Sequence, residues 1–457
     1  MHRFGTVICS EAVKCIYSID IMKPSIYNSF IPVSERSFLL YNAFTDKYIV
    51  CRKELVSLLR DAYTELAETD PAFYKNLTEG GFLVADELDE EIRAVEEGMK
   101  RCDNASSYRL IINPTLNCNF KCWYCYEDHS AYAKMDVQTV ARVERFLTRM
   151  FGNHDIRDVS LSFFGGEPLL YYNETVRPLI DHIRRCRHEG APTYSIHFTT
   201  NGYLITESML QHLCESDDSK SFQITLDGNR KEHDKVRFPA SGGGSYDRIL
   251  MNVCRLLEKR MEVVLRINFT AANMYSLPDI LEDLKGVSKE ERRYLSIDFQ
   301  RVWQEKTIDN ADRRLEENIE AFRQEFPRVV EHYQRIDSFR SPCYGDLQNE
   351  CVINYNGDVY KCTARDFTPA NRAGILTETG EIEWLCPDFV RQRLREKFGK
   401  KVCRRCRIFP LCGAGCVQTA LEARNGCTMC KTEEEKDHAI LTRFYHQIVK
   451  SRQYDQP

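Results

Sequence analysis

The 457-residue sequence predicts an α/β fold in which a parallel sheet of strand–helix units follows a small α+β module and precedes a cysteine-rich domain. Three observations carry that expectation. Apolar runs at 109–112, 159–164, 195–200, 222–226, 263–269 and 295–299 alternate with amphipathic stretches at 136–151, 174–188, 206–216, 245–259 and 277–287, the pattern of βα units. Cys118, Cys122 and Cys125 sit on the loop after the first run. Beyond Cys343 the cysteine density rises, and four cysteines between Cys403 and Cys416 point to metal rather than to ordinary core thiols. The expected domains are 1–102, 103–308 and 309–457.

Composition narrows the class. A chain that is 43% hydrophobic and this long buries a large core. Its net charge of −5 gives no general basic field for nucleic acid. Twenty cysteines in so long a chain, behind the opening Met1-His2-Arg3-Phe4-Gly5 with no apolar signal core, read as reduced thiols of a cytoplasmic protein, many of them metal-bound. No apolar stretch approaches the ~20 residues that span a bilayer, so no membrane role is expected.

Taken in order, residues 1–35 carry little pattern, and Cys9 and Cys15 read as free thiols. Phe38-Leu39-Leu40-Tyr41 and Tyr48-Ile49-Val50 flank a turn rich in Asn and Asp, which predicts a hairpin. Leu55, Leu58, Leu59, Ala62 and Leu66 fall on one helical face. Asp70-Pro71 starts a further helix that runs to Gly80-Gly81 and the strand 82–84. This α+β module is winged-helix-like, and an open-edged wing binds an extended peptide by strand addition; a module that only covers one end of the next domain is the competing reading. A charged helix over 86–101, with Leu88, Ile92, Val95 and Met99 on its apolar face, links the two.

Three thiols within eight residues suit an iron–sulfur cube, which cysteine thiolate holds, and leave one iron without a protein ligand. Zinc competes, but structural zinc closes with four ligands, and only His129 lies near enough to serve. The C-x3-C-x2-C spacing, with an aromatic residue before the last cysteine, resembles the radical S-adenosylmethionine (radical SAM) superfamily. That resemblance implies a partial (β/α)6 barrel, a 4Fe-4S cluster on Cys118, Cys122 and Cys125, and S-adenosyl-L-methionine on the open iron, with Tyr124 against the adenine. Gly165-Gly166-Glu167-Pro168, after the second strand, is similar to the family's motif for the methionine ammonium; glycines there allow close backbone approach. Thr200, Asn201 and Asp227 at later strand ends suit the ribose, and Arg266 the carboxylate. Leu226-Asp227-Gly228 with His233-Asp234 and Arg237 resembles the peptide-modifying branch, although 229–237 by itself reads as a flexible loop.

Residues 309–336 form a helical connector with Leu315, Ile319, Phe322 and Phe326 in phase, and Asn356-Gly357-Asp358 marks a hairpin. Zinc ribbons and iron–sulfur clusters compete for the late cysteines. Their order resembles the SPASM extension with two auxiliary 4Fe-4S clusters. By that resemblance Cys343, Cys351, Cys362 and Cys416 hold the first, and Cys403, Cys406, Cys412 and Cys427 the second, with Cys430 as an alternative last ligand. Cys51, Cys102, Cys186, Cys214, Cys254 and Cys386 read as packing residues. Ile440, Leu441, Phe444 and Ile448 suggest a closing helix.

The function so implied is a radical SAM peptide maturase. It cleaves S-adenosylmethionine reductively and installs a thioether or carbon–carbon crosslink in a ribosomally synthesised precursor peptide, fed by a flavodoxin- or ferredoxin-type electron donor. A sulfatase-maturase-like, formylglycine-forming enzyme is the nearest alternative; that branch places aspartate directly after the glycine-spaced cysteine, where this chain has Thr363. A non-catalytic zinc-binding adaptor is the alternative of another class.

Overall fold

The computed structural model describes residues 22–130, 132–305, 313–331, 340–422, 427, 429, 432–445 and 447. They divide into two compact units. One takes the residues up to Glu96 with Arg404–Leu411 and the segment from Thr432; the other takes Glu97–Cys403 and Cys412–Lys431. Cys9, Cys15, Cys430 and Ile448 lie outside the described residues.

The first unit contains strands β1 (Met22–Pro24), β2 (Asn28–Pro32), β3 (Ser37–Asn42), β4 (Lys47–Arg52) and β5 (Leu83–Ala85). β2, β3 and β4 form an antiparallel sheet in that order, and β1 pairs with β5. The expected hairpin is β3–β4. Asp70 caps the helix Pro71–Gly80 by accepting from Phe73 N, and Gly81 ends it at φ 75°. Leu40, Leu59, Leu66, Leu77 and Phe82 make the core beneath.

The helix Glu90–Arg101 corrects the expected face. Ile92 is 52% exposed, whereas Glu90 and Ala94 are buried. The reason is polar: Glu90 accepts from Ser25 Oγ at 2.5 Å and Ile26 N at 2.9 Å, so a satisfied carboxylate turns inward and apolar periodicity misjudges the phase. In the C-terminal helix Glu433–Phe444, Ile440 alone is buried among the described residues of the expected stripe, and Thr432 with Glu435 closes a capping box.

The second unit contains all six expected strands: β6 (Ser107–Ile112), β7 (Asp158–Phe163), β8 (Thr193–Thr200), β9 (Ser219–Leu226), β10 (Glu262–Phe269) and β11 (Leu295–Arg301). They pair in parallel and in chain order. The sheet stays open. β12 (Val329–Glu331) extends it beyond β11, and β13 (Glu350–Ile353), β14 (Asp358–Tyr360), β15 (Gly374–Leu376) and β16 (Ile382–Trp384) extend it beyond β6. The result is a partial (β/α)6 barrel.

Strand alternation explains the layering. On β8 and β9 the buried Ile196, Phe198, Phe222 and Ile224 belong to the barrel core, while Ser195, His197, Ser221 and Gln223 on the other face are half-exposed. Phe163, Phe198 and Phe222 stack across three strands at 5.4 and 4.7 Å. The helices Val137–Phe151, Arg177–Arg185, Glu207–Leu213, Tyr246–Glu258 and Leu277–Asp283 follow the strands as expected. Arg313–Glu325 buries Leu315, Ile319 and Phe322, and Phe326 just beyond it, in the expected phase. The stretch expected as a flexible loop is instead the helix Arg230–Val236, capped by Asn229 and anchored by a fully buried His233. No described helix is long and apolar enough to cross a membrane.

Candidate functional site

Parallel pairing puts the loops after β6 to β10 at one edge of the sheet, where βα folds carry chemistry. The loop with Cys118, Cys122 and Cys125 is held from several sides. Thr115 O and Asn117 O accept from Gly166 N at 3.1 Å and Glu167 N at 2.9 Å. Asn119 accepts through Oδ1 from Asn201 Nδ2 at 2.8 Å and through its carbonyl from Ala240 N at 2.7 Å. Phe120 is buried edge-on against Tyr203.

Gly165 and Gly166 approach this loop rather than open space. A Cβ on Gly165, whose φ is +94°, would meet Thr115 O at 2.3 Å, and one on Gly166 would meet Asn117 O at 2.3 Å. Pro168 begins the short turn Pro168–Tyr171, with Glu167 capping it. Glu167 is fully buried and its carboxylate is already occupied. Oε1 accepts from Leu169 N (3.0 Å) and Thr200 Oγ1 (2.7 Å), and Oε2 from Asn201 N (2.8 Å). The residues expected to meet methionine and ribose thus first lock the ends of β7 and β8 together.

Tyr124 is a hub. Its hydroxyl donates to Asp227 Oδ2 at 2.7 Å and accepts from Arg237 at 2.9 Å and Asn268 Nδ2 at 3.0 Å. Arg266 Nε donates to Asn268 Oδ1 at 2.9 Å, and Gln304 Nε2 to Tyr124 O at 2.9 Å. His233 Nδ1 accepts from Asp227 N, and its other ring nitrogen lies 2.9 Å from Ser245 Oγ. Burial raises the pKa of Asp227, opposed chiefly by Arg237.

Arg237 is the residue whose role the sequence left unassigned. Burial works against its charge, and Tyr124, Cys122 and Asp227 outweigh it, so the guanidinium stays charged. Its Nε lies 3.6 Å from Asp227 Oδ2 but is buried without a hydrogen-bond partner. It acts electrostatically on all three thiols of the loop. Burial pushes the Cys118 thiol up to about 12, with Glu167 adding to the effect, and also raises Cys122 and Cys125. A cation among desolvated thiols is the donor chemistry that an anionic thiolate cluster fits.

A second thiol group forms around Cys343, Cys362 and Cys416, which are electrostatic neighbours. Cys351 does not join them. It lies on β13 opposite Leu110, fully buried in the barrel core, with Tyr108 OH donating to its sulfur at 3.5 Å. The expected set of four is a set of three among the described residues. Cys403, Cys412 and Cys427 belong to the second unit and Cys406 to the first. Of the remaining residue types, Asp181, His212 and Glu215 converge as a metal site would, but Arg184 already bonds all three at 3.4, 2.9 and 3.1 Å.

Residues 112–285 match the model of the Radical SAM superfamily. That segment is a Radical SAM domain, the catalytic domain that uses S-adenosylmethionine and a 4Fe-4S cluster. Among curated proteins it is 24% identical over 340 residues to a cysteine-type anaerobic sulfatase-maturating enzyme of Clostridium novyi, covering 68% of this chain and 88% of that one. Its fold is similar to native anSMEcpe with bound AdoMet, with a TM-score of 0.55, 18% identity and coverage of 75% and 98%. It is also similar to Streptococcus suis SuiB bound to precursor peptide SuiA, with a TM-score of 0.50, 17% identity and coverage of 89% and 98%.

Proposed function

We propose that this enzyme is a peptide maturase that crosslinks a ribosomally synthesised precursor through a thioether or carbon–carbon bond. One observation carries the reading. Tyr126, next to Cys125, has both Arg266 of the barrel and Cys362 of the second thiol group as electrostatic neighbours, so a substrate above the barrel would lie between two thiol groups. The SuiB neighbour's precursor peptide supports a peptide substrate.

In this reading Cys118, Cys122 and Cys125 hold the reducing cluster, and Cys343, Cys362 and Cys416 hold an auxiliary one. Cys403, Cys412 and Cys427 are proposed ligands of a third. When bound, the first cluster supplies the electron that cleaves S-adenosylmethionine to the 5′-deoxyadenosyl radical. The chain's own residues prepare the site. Glu167 fixes Thr200 and Asn201; Gly165 and Gly166 keep the cysteine loop seated and leave backbone carbonyls for an ammonium; Arg237, with an unmet donor, is better placed than Arg266 to receive a carboxylate. The N-terminal sheet leaves β4 at its edge with Val50 60% exposed, a surface onto which a leader peptide can add as a strand.

The formylglycine alternative lacks its base here: Thr363 follows Cys362 and is engaged with Tyr344 OH at 2.6 Å. The test is mass spectrometry of short peptides encoded beside the gene, co-expressed with the enzyme and with a Cys118→Ala control. A mass loss of about two hydrogens per crosslink that is absent from the control supports the proposal. A carbonyl product at a single cysteine or serine would replace it with the alternative.

A further inference from the structure

Charge around Cys343, Cys362 and Cys416 is unevenly paired. Lys397 Nζ donates to Asp346 Oδ2 at 2.7 Å and Lys361 Nζ lies 2.8 Å from Glu350 Oε2, with all four side chains at most 2% exposed. Arg393, on the helix Phe389–Phe398, has no such partner among the described residues. One terminal nitrogen donates to Gln418 Oε1 at 3.1 Å, while Nε and the other terminal nitrogen are buried with no hydrogen bond. Its electrostatic neighbours are Cys362, Asp346, Glu350 and Cys416. Burial lowers its pKa against all of them, so these groups alone do not compensate the charge.

Unmet donors on a desolvated guanidinium are costly, and Arg393 carries two of them on one side chain. Three thiolates around an oxidised 4Fe-4S core leave one net negative charge, with sulfur atoms as acceptors. We infer that Arg393 is the charge and hydrogen-bond partner of the auxiliary cluster held by Cys343, Cys362 and Cys416, and that it sets how readily that cluster accepts an electron. The inference rests on the proposed ligand set. A fixed cation in a poorly solvated site favours the more negative, reduced cluster, because both net charge and hydrogen bonds to sulfur tune such potentials. Arg393 is a positioning residue in this role: it acts through the cluster.

The experiment is a redox titration, followed by electron paramagnetic resonance, of full-length protein in a Cys118→Ala, Cys122→Ala, Cys125→Ala background. The relevant signal is the one that Cys362→Ala removes. Arg393→Met is expected to keep its iron and to lower the reduced-to-oxidised ratio at a fixed potential tenfold or more, about 59 mV for a one-electron couple. Arg393→Lys, which keeps the charge but loses the planar fork, is expected to recover part of that shift. A midpoint unchanged in Arg393→Met overturns the inference; if that variant loses its iron, an unchanged midpoint in the neutral Arg393→Gln overturns it instead. A packing role alone would lower the melting temperature and leave the potential where it was. Full iron in a Cys343→Ala, Cys362→Ala, Cys416→Ala protein would refute the ligand set itself, a failure separate from that of the arginine.

Discussion

Gly166→Ala separates two reasons for a glycine at this place. The first is that a side chain would obstruct the bound cofactor; the second is that it would wedge the cysteine loop. The backbone at Gly166 is not in the left-handed region, so alanine is conformationally allowed and the cost is one of contact. A Cβ there would lie 2.3 Å from Asn117 O and 2.6 Å from Leu116 O, backbone atoms that no rotamer change can move. Relief to an ordinary contact needs a retreat of about 1 Å by the loop, a strain of the ~1–3 kcal/mol typical of overpacking. The same retreat weakens the bonds from Gly166 N and Glu167 N to Thr115 O and Asn117 O, each worth about 1 kcal/mol. Together the loss is about 3–5 kcal/mol, borne by the segment that leads into Cys118. Gly166→Ala should therefore lower the melting temperature, the iron held by the three-cysteine loop and the affinity for S-adenosylmethionine together. Gly286→Ala, with nothing within 4 Å of the added carbon, is the matched control. Iron analysis, calorimetric titration with S-adenosylmethionine and thermal melting read the three quantities. Weakened cofactor binding with unchanged iron and melting would refute the wedge and restore the obstruction.

Replacing Cys118, Cys122 and Cys125 by Ala should abolish 5′-deoxyadenosine formation, measured by chromatography, while iron elsewhere in the chain remains; persistent cleavage would disprove that assignment. Val50→Pro on the edge strand β4 should raise the Kd of a fluorescent leader peptide about tenfold in anisotropy without changing uncoupled S-adenosylmethionine cleavage, since proline removes a donor from the edge; an unaltered Kd would leave the module as a cover. His233 is buried with its pKa held well below 6.5, so the unfolded chain binds more protons there and stability falls as pH drops below about 6.5. His233→Asn should be less stable at neutral pH yet lose less on going to pH 5 in denaturant melts; a parallel loss in both proteins would remove His233 from the acid response.

What the sequence made legible was local. Six strands and their helices follow from periodicities of two and 3.6, and Asp70 before Pro71 or Asn356-Gly357 before Asp358 are signals contained in a few residues. Three misjudged features have a common cause. The apolar pattern points Ile92 inward, but the phase of its helix is set by the bond that Ser25 donates to Glu90, 65 residues away. The stretch 229–237 looked solvated because it is charged, yet Asp227 N and Ser245 Oγ satisfy the buried His233 from outside that stretch. Cys351 matched a spacing, but spacing does not say that β13 would pair in parallel with β6 and carry residue 351 into the barrel core.

The same limit explains why the cysteines were readable and the arginines were not. A cluster ligand announces itself by identity and spacing, because few roles demand several thiols within a dozen residues. Arg237 and Arg393 have no such signature among the arginines of a chain with 63 basic residues. Each is singled out only by what three-dimensional structure denies it: a desolvated Nε with no acceptor, beside thiols that burial keeps neutral. Thiols held neutral by burial and guanidiniums with unmet donors share the same low-dielectric space, and one event changes the charge balance of both. Release of the thiol protons to solvent when a cluster binds turns the neutral neighbours into anions and gives each arginine its counter-charge. Cluster binding at both places should therefore be strongly coupled to stability, and the two arginines mark, independently of the cysteine spacing, where that coupling is concentrated.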